Sequence, residues 1–232
     1  MSVKNVRIPN YNKDRADRFV QRLVAEPLSP NAGVIMNDLL SEFHRGYPLE
    51  NLRPLLQSQN PDIVNIGAWI ASELGEKGSP LLPYVLPLLQ HPAKNVRFSI
   101  VDCILLWATD GAQLAAVTSL LDDPESGVRW KAMDFLSRAT MEQLQAALSY
   151  LEHAEPNSTY VRGLRWLLSS DASDANAVKA ALQNENALLR KYAVVAASRM
   201  SKADREPLSY AASVKTPDVQ NFAKSSIALL KD

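Results

Sequence analysis

A short pattern recurs along this chain at intervals of about 30 residues, and it leaves few folds open. The segments LLQHPAKNVRFSI (88–100) and LLDDPESGVRWKA (120–132) share a Leu-Leu pair, a polar pair with proline, a short polar loop and then Val-Arg-aromatic. HAEPNSTYVRGL (153–164) keeps the proline and serine of the second copy at the same offset. LLQSQNPDIVNIGA (55–68), ALQNENALLRKYA (181–193) and ASVKTPDVQNFA (212–223) are looser copies. Aligning them gives one register residue per copy: Met36, Val64, Val96, Val128, Tyr160, Leu189 and Val219, spaced by 28, 32, 32, 32, 29 and 30. A unit of that length cannot bury its apolar faces alone, so the copies must stack.

Each period reads as two helices. The polar or proline-led loop supplies an N-cap and a proline near the first helical position, where a missing N–H costs nothing. Apolar residues then fall at +4, +7, +8 and +11 from the register residue, one stripe of a helix. From Val96 these are Ile100, Cys103, Ile104 and Trp107. Shorter helices precede them, over about 14–25, 48–57, 80–90, 111–122, 140–152, 173–183 and 202–213. No stretch alternates at period two, so no strands are expected. The stretch SSDASDAN (169–176) reads as a flexible joint, and residues 1–12 as a loose N-terminal tail ahead of a single repeat domain, 13–232.

The run Asp122-Asp123-Pro124-Glu125-Ser126-Gly127-Val128-Arg129, with echoes at Pro92…Val96-Arg97 and Leu189-Arg190, resembles the HEAT-like repeat family. The resemblance covers nearly the whole chain and implies an all-α fold, a right-handed α-solenoid of about seven HEAT-like helix pairs whose second helices line a concave groove. It also implies that Arg97, Arg129 and Arg190, each one residue past the register position, form a ladder bonding loop carboxylates or carbonyls of neighbouring repeats.

With the core stripe at +4 and +11, the opposite side of each second helix holds +2, +5, +6 and +9. These positions bring Ile66 and Trp69 to the groove in the second copy, with Glu73, and Phe98, Val101 and Asp102 in the third. The fourth adds Trp130, Met133 and Asp134; the fifth adds Arg162, Arg165 and Trp166. An apolar patch on a face that core packing does not need marks an interaction site, and tryptophan and arginine are typical anchors. The competing reading is that Trp69, Trp130 and Trp166 fill seams between adjacent second helices. Trp107, on the core stripe, reads as packing.

The remaining sequence excludes more than it specifies. Lys+Arg and Asp+Glu each number 25 in 232 residues, so the net charge is zero, which argues against nucleic acid or anionic lipid as partner. Residues 61–180 carry 9 basic against 14 acidic side chains. The single cysteine, Cys103, fits a reducing compartment and sits on the core stripe. No apolar run reaches membrane-spanning length, and the opening residues lack the apolar stretch of a secretory signal. A cytoplasmic location is therefore expected. Neither a glycine-rich phosphate loop nor a metal motif occurs, and His44, His91 and His153 lie in different copies. No cofactor is expected.

These features favour a non-enzymatic protein-binding module gripping one protein partner in the groove, as a monomer or small homo-oligomer. Its narrowest form is an inhibitor or immunity protein that neutralises a cognate bacterial toxin. The alternative is a HEAT-like DNA glycosylase acting on damaged bases, with Trp69, Trp130, Trp166, Asp102 and Asp134 as the aromatic and acidic residues that hold damaged DNA in the concave face. A DNA groove, however, needs several cations for phosphates, and the middle of the chain runs net negative.

Overall fold

The computed structural model describes residues 11–230, and all regular structure among them is helical. The expected tail lies outside those residues except for Tyr11 and Asn12. The chain packs as two compact units, 1–107 and 108–232.

The first unit holds three helix pairs. α1 (Lys13–Ala25) packs on α2 (Ala32–His44), the four-residue α3 (Arg53–Leu56) on α4 (Pro61–Ser72), and the four-residue α5 (Leu82–Val85) on α6 (Lys94–Trp107). The short helices are extended by 3-10 turns over Leu49–Leu52, Gly75–Leu81 and Leu86–Gln90. Proline causes this fragmentation: Pro54, Pro83 and Pro87 each open a short piece, and Pro80 sits inside one. Each removes a backbone donor, so no long α ladder can run through these segments. The first pair is stapled by polar contacts. The Glu42 carboxylate, 1% exposed, accepts the Asn12 N–H and an Arg45 N–H, and the Tyr47 hydroxyl donates to Asp17 at 2.6 Å.

The second unit holds four pairs: α7 (Gly111–Thr118) with α8 (Ser126–Arg138), α9 (Met141–Ala154) with α10 (Thr159–Leu167), α11 (Ala175–Ala181) with α12 (Ala187–Met200), and α13 (Glu206–Ala211) with α14 (Pro217–Leu229). Local chemistry starts these helices where the sequence reading placed them. Asp110, Ser158, Asp174 and Asn186 each accept first-turn N–H groups through their side chains, and Thr140 with Gln143 forms a capping box. The stretch expected to be a joint instead forms a 3-10 turn, Ser170–Ser173, with Ala172 buried and Asp174 capping α11.

The core stripe is as read. Val96, Ile100, Cys103, Ile104 and Trp107 are buried in α6, and Val128, Ala132, Phe135, Leu136 and Ala139 line the same stripe of the fourth copy. The opposite face is less open than the repeat alone suggests. In the second unit α12 is central: it packs against α8, α10, α11, α13 and α14, and Leu188 and every residue from Lys191 to Ala197 is buried. A helix covered on all sides needs apolar residues all round, and LLRKYAVVAAS meets this apart from Arg190 and Lys191. Lys191 is satisfied where it lies. Its ammonium donates to the Leu121 carbonyl and to Asp122 at 3.2 Å, with Asp218 at 3.8 Å. Arg129 joins that cluster with two bonds to Asp218, at 2.8 and 2.9 Å, tying the fourth copy to the last.

The arginine ladder is real and more local than expected. One guanidinium nitrogen of Arg97 donates to the carbonyls of His91 and Pro92, at 2.7 and 2.9 Å. Arg129 reaches Asp123 and Pro124 at 2.7 and 2.9 Å, and Arg190 reaches Asn184 and Glu185 at 2.6 and 3.0 Å. The acceptors always lie six and five residues back, in the loop of the same copy. Pro92 and Pro124 accordingly stand two residues ahead of their helices rather than at the first turn, presenting carbonyls to the clamp.

Candidate protein-binding site

The groove side chains named from the repeat period divide into three groups. Ile66, Val101 and Met133 are 3%, 1% and 1% exposed, so these three correct the expectation: they are packing residues. Their positions, +2 and +5, lie on the flank where second helices meet, α4 against α6 and α8 against α12 and α14. Trp130 and Asp134 are half-buried and engaged within the chain. The Trp130 ring stands 5.9 Å from that of Phe222, tilted by 56°, and Asp134 is held by Arg138 at 3.2 Å and Lys131 at 3.8 Å. In the first unit Trp69 and Asp102 are half-buried and Phe98 is exposed.

The third group stands together. Arg162, Arg165 and Trp166 occupy +2, +5 and +6 of α10, with both arginines exposed and the indole half-buried. Buried Val161, Leu164 and Leu167 hold the other side of this nine-residue helix. Of the four second helices in the unit, α12 has the equivalent face largely covered, and α8 has it half-buried, with Trp130 and Asp134 engaged within the chain. α14 offers Asn221, Lys224, Ser225 and Ala228 there. Only α10 combines an open face with an aromatic ring and cations.

Trp166 and Arg162 border a pocket of about 140 Å³, completed by Ala181, Asn184, Leu189 and Tyr192. Its apolar wall is Trp166, Ala181, Leu189 and the Tyr192 ring, which lies over Gly163. A Cβ at position 163 would come within 2.2 Å of that ring, so the close approach requires glycine. Its polar groups are donors. The Arg162 guanidinium is tethered to the Thr159 hydroxyl at 3.0 Å, while the side-chain oxygen of Asn184 already accepts the Asn186 N–H at 2.9 Å. Arg190 fixes the Asn184 segment through the clamp described above, and Arg165 pairs with Glu152 at 2.7 Å just outside. The Tyr192 hydroxyl is fully buried without a hydrogen-bond partner, and burial, with Tyr160 and Asp122 nearby, pushes its pKa well up. Tyr160 donates to Asp122 at 3.1 Å and is pushed up to about 12, chiefly by burial and then by that carboxylate.

Sequence reasoning found Arg162, Arg165 and Trp166 and missed the wall facing them. Leu189 was identified as a register residue, and the loop of the sixth copy falling beside the fifth helix was the available signal. Tyr192 sits at +3 from Leu189, outside both the core stripe and the groove positions.

A larger cleft of about 490 Å³ is lined by Asp134, Arg138, Arg199, Lys202 and neighbours at the ends of α8, α12 and α14. Arg199 is engaged there, donating to the carbonyls of Leu136, Ser137 and Ala139, and so caps the last turn of α8 from a different copy. Cys103 is buried, and burial pushes its thiol well up, the opposite of an activated nucleophile. His91 accepts the Ala93 N–H in its loop, and His153, in the last turn of α9, bonds the Ser149 carbonyl one turn back. Among the described residues no group of three His, Cys, Asp or Glu could hold a metal ion, and no helix is long and apolar enough to cross a membrane.

No family model matches the sequence, and no curated protein does. Solved structures similar to the chain include an archaeal HEAT-like repeats protein from Thermococcus onnurineus NA1, at 13% identity and TM-score 0.49, covering 93% of this chain and 97% of that one. A designed armadillo repeat protein in complex with peptide (KR)4 is similar at 17% identity and TM-score 0.47, covering 91% and 97%. The fold itself rests on the helix pairs observed in this chain, each begun at the repeat's polar loop and buried along the repeat's apolar stripe, and it is that of an all-α, HEAT-like α-solenoid.

Proposed function

We propose that the chain is a non-enzymatic protein-binding module that holds a protein partner against the exposed face of α10. The observation that carries this reading is the set of open positions on that helix. Where α12 turns the equivalent face into core and α8 engages its half-buried Trp130 and Asp134 within the chain, α10 presents Trp166, Arg162 and Arg165 around a preformed pocket. Tryptophan and arginine concentrate binding energy at protein interfaces because they combine large contact area with directional donors. Trp69 on α4 is a second contact candidate in the first unit. The narrowest form of the reading is a cytoplasmic inhibitor or immunity protein that neutralises a cognate bacterial toxin. It is supported by the balanced charge.

The test is capture from the source organism's lysate with tagged wild-type protein beside an Arg162→Ala/Trp166→Ala variant, after matching their helical circular dichroism. The expected result is a stoichiometric protein partner, bound by the wild type and lost in the variant, whose own activity separates inhibitor from adaptor. Recovery of nucleic acid alone, with a gel shift at low salt that weakens as salt rises, would overturn this reading in favour of the DNA glycosylase alternative.

A further inference from the structure

We infer that the pocket beside α10 takes one apolar side chain, aromatic by preference, from an internal segment of the partner in which an adjacent residue is acidic. This rests on the protein-binding reading above and specifies what that site selects. Size sets the first half of the inference. A volume of about 140 Å³ is close to the roughly 150 Å³ apolar cavity known to admit a benzene ring, so the pocket accepts a single ring or branched aliphatic chain and not a helix. The walls agree, since Trp166, Ala181, Leu189 and Tyr192 offer apolar surface on several sides.

Charge and hydrogen-bonding capacity set the second half. Arg162 is the only ionised group in the lining, and its one bond within the protein goes to a neutral hydroxyl. No carboxylate lines the pocket, and the one amide oxygen, on Asn184, is already occupied. Of the neighbouring cations, Arg165 is paired with Glu152, and Arg190 lies outside the lining with one terminal nitrogen on loop carbonyls and its Nε buried, so Arg162 is the cation that meets the ligand. A rim of donors above an apolar floor complements a ligand carrying an acceptor, and a carboxylate is the strongest acceptor a protein segment presents. A carboxylate adjacent in sequence to the inserted ring stays at the rim, where Arg162 stands.

Four blocked tetrapeptides test this on the full-length protein: acetyl-Ala-Asp-Phe-Ala-amide, its Asn-Phe and Lys-Phe counterparts, and an Asp-Ala control. Binding is followed by the nitrogen–proton resonance of the Trp166 indole, assigned with Trp166→Phe. The Asp-Phe peptide should bind most tightly, about three- to tenfold better than Asn-Phe, as one exposed charge-assisted contact supplies. Lys-Phe should bind more weakly still, and Asp-Ala should leave the resonance unmoved. Arg162→Gln, a change at an exposed position, should equalise Asp-Phe and Asn-Phe without displacing the protein's other resonances. Equal affinity for all four peptides, a preference for Lys-Phe, or no movement of the indole resonance with any of them would overturn the inference. Lysate capture reports whether a partner uses this face and the peptides report what the pocket selects, so either can fail alone.

Discussion

Three arginines one residue past the register position make the same pair of bonds in three copies, yet they are not equivalent. Arg97 and Arg190 clamp their own loops, while Arg129 also grips the Asp218 carboxylate, with both side chains about 20% exposed. Losing a charged donor that serves two carbonyls costs about 1–2 kcal/mol. Arg129→Gln additionally leaves a largely buried carboxylate with only Lys191, at 3.8 Å, to meet it and should cost more, about 2–4 kcal/mol. Urea denaturation of Arg190→Gln and Arg129→Gln should therefore give that order. A cycle with Asp218→Asn should show the excess of Arg129→Gln disappearing in the double variant. The donor half of this chemistry was legible in the sequence from the fixed offset of arginine. The acceptor half was not, because spacing identifies which residue donates and not which carbonyls the loop turns toward it. Asp218 lies 89 residues from Arg129, a pairing no local pattern encodes.

At the scale of the element, the apolar stripe located both helices of every copy, and the prolines of the second and third copies explain why their first helices break into short turns. Which opposite faces stay open was not legible from period alone, since that depends on lateral neighbours. α8 meets α12 and α14, and so Met133, assigned to the groove by geometry, is core, as are Val194 and Val195 of α12. The unbroken apolar character of α12 was the readable warning. α10 stays open on one side and is positioned on the other through Gly163, against which the Tyr192 ring rests. Gly163→Ala should destabilise the protein by about 1–3 kcal/mol or more through overpacking. Pairing it with Tyr192→Leu should cost less than the sum of the two single changes, because removing the ring makes room for the Cβ. Gly78 and Trp107 form the same kind of contact in the first unit, with a Cβ 2.2 Å from the indole ring. Gly78→Ala should behave alike in equilibrium unfolding, which would establish the two glycines as sites where a helix pair closes on an aromatic ring.

Charge balance leaves no large overall repulsion between like charges at neutral pH, so the groups whose pKa differs between the folded and unfolded chain set the pH dependence of stability. Three tyrosines supply one. Tyr47 in the first unit, and Tyr160 and Tyr192 in the second, all have pKa values raised above the ordinary 10.0, each chiefly by burial. The folded chain therefore keeps protons that the unfolded chain releases near pH 10. Where the folded state binds more protons, stability falls as pH rises. The contribution of these hydroxyls is fully present below pH 10 and is lost progressively above it, through about 12 for Tyr160. An alkaline titration should show tyrosinate absorbance rising in a late step that coincides with loss of helical circular dichroism. Lysines also lose charge in this range, so single Phe variants isolate the effect. Tyr47→Phe removes a bond to Asp17 and lowers stability at neutral pH, yet flattens the alkaline fall because one titrating group is gone. Tyr192→Phe should flatten it too, and at little cost near pH 7, since the hydroxyl it deletes is buried without a partner. If the late absorbance step kept its full amplitude in both variants, Tyr47 and Tyr192 would not be among the groups that titrate in it, and the assignment of the alkaline fall to them would fail.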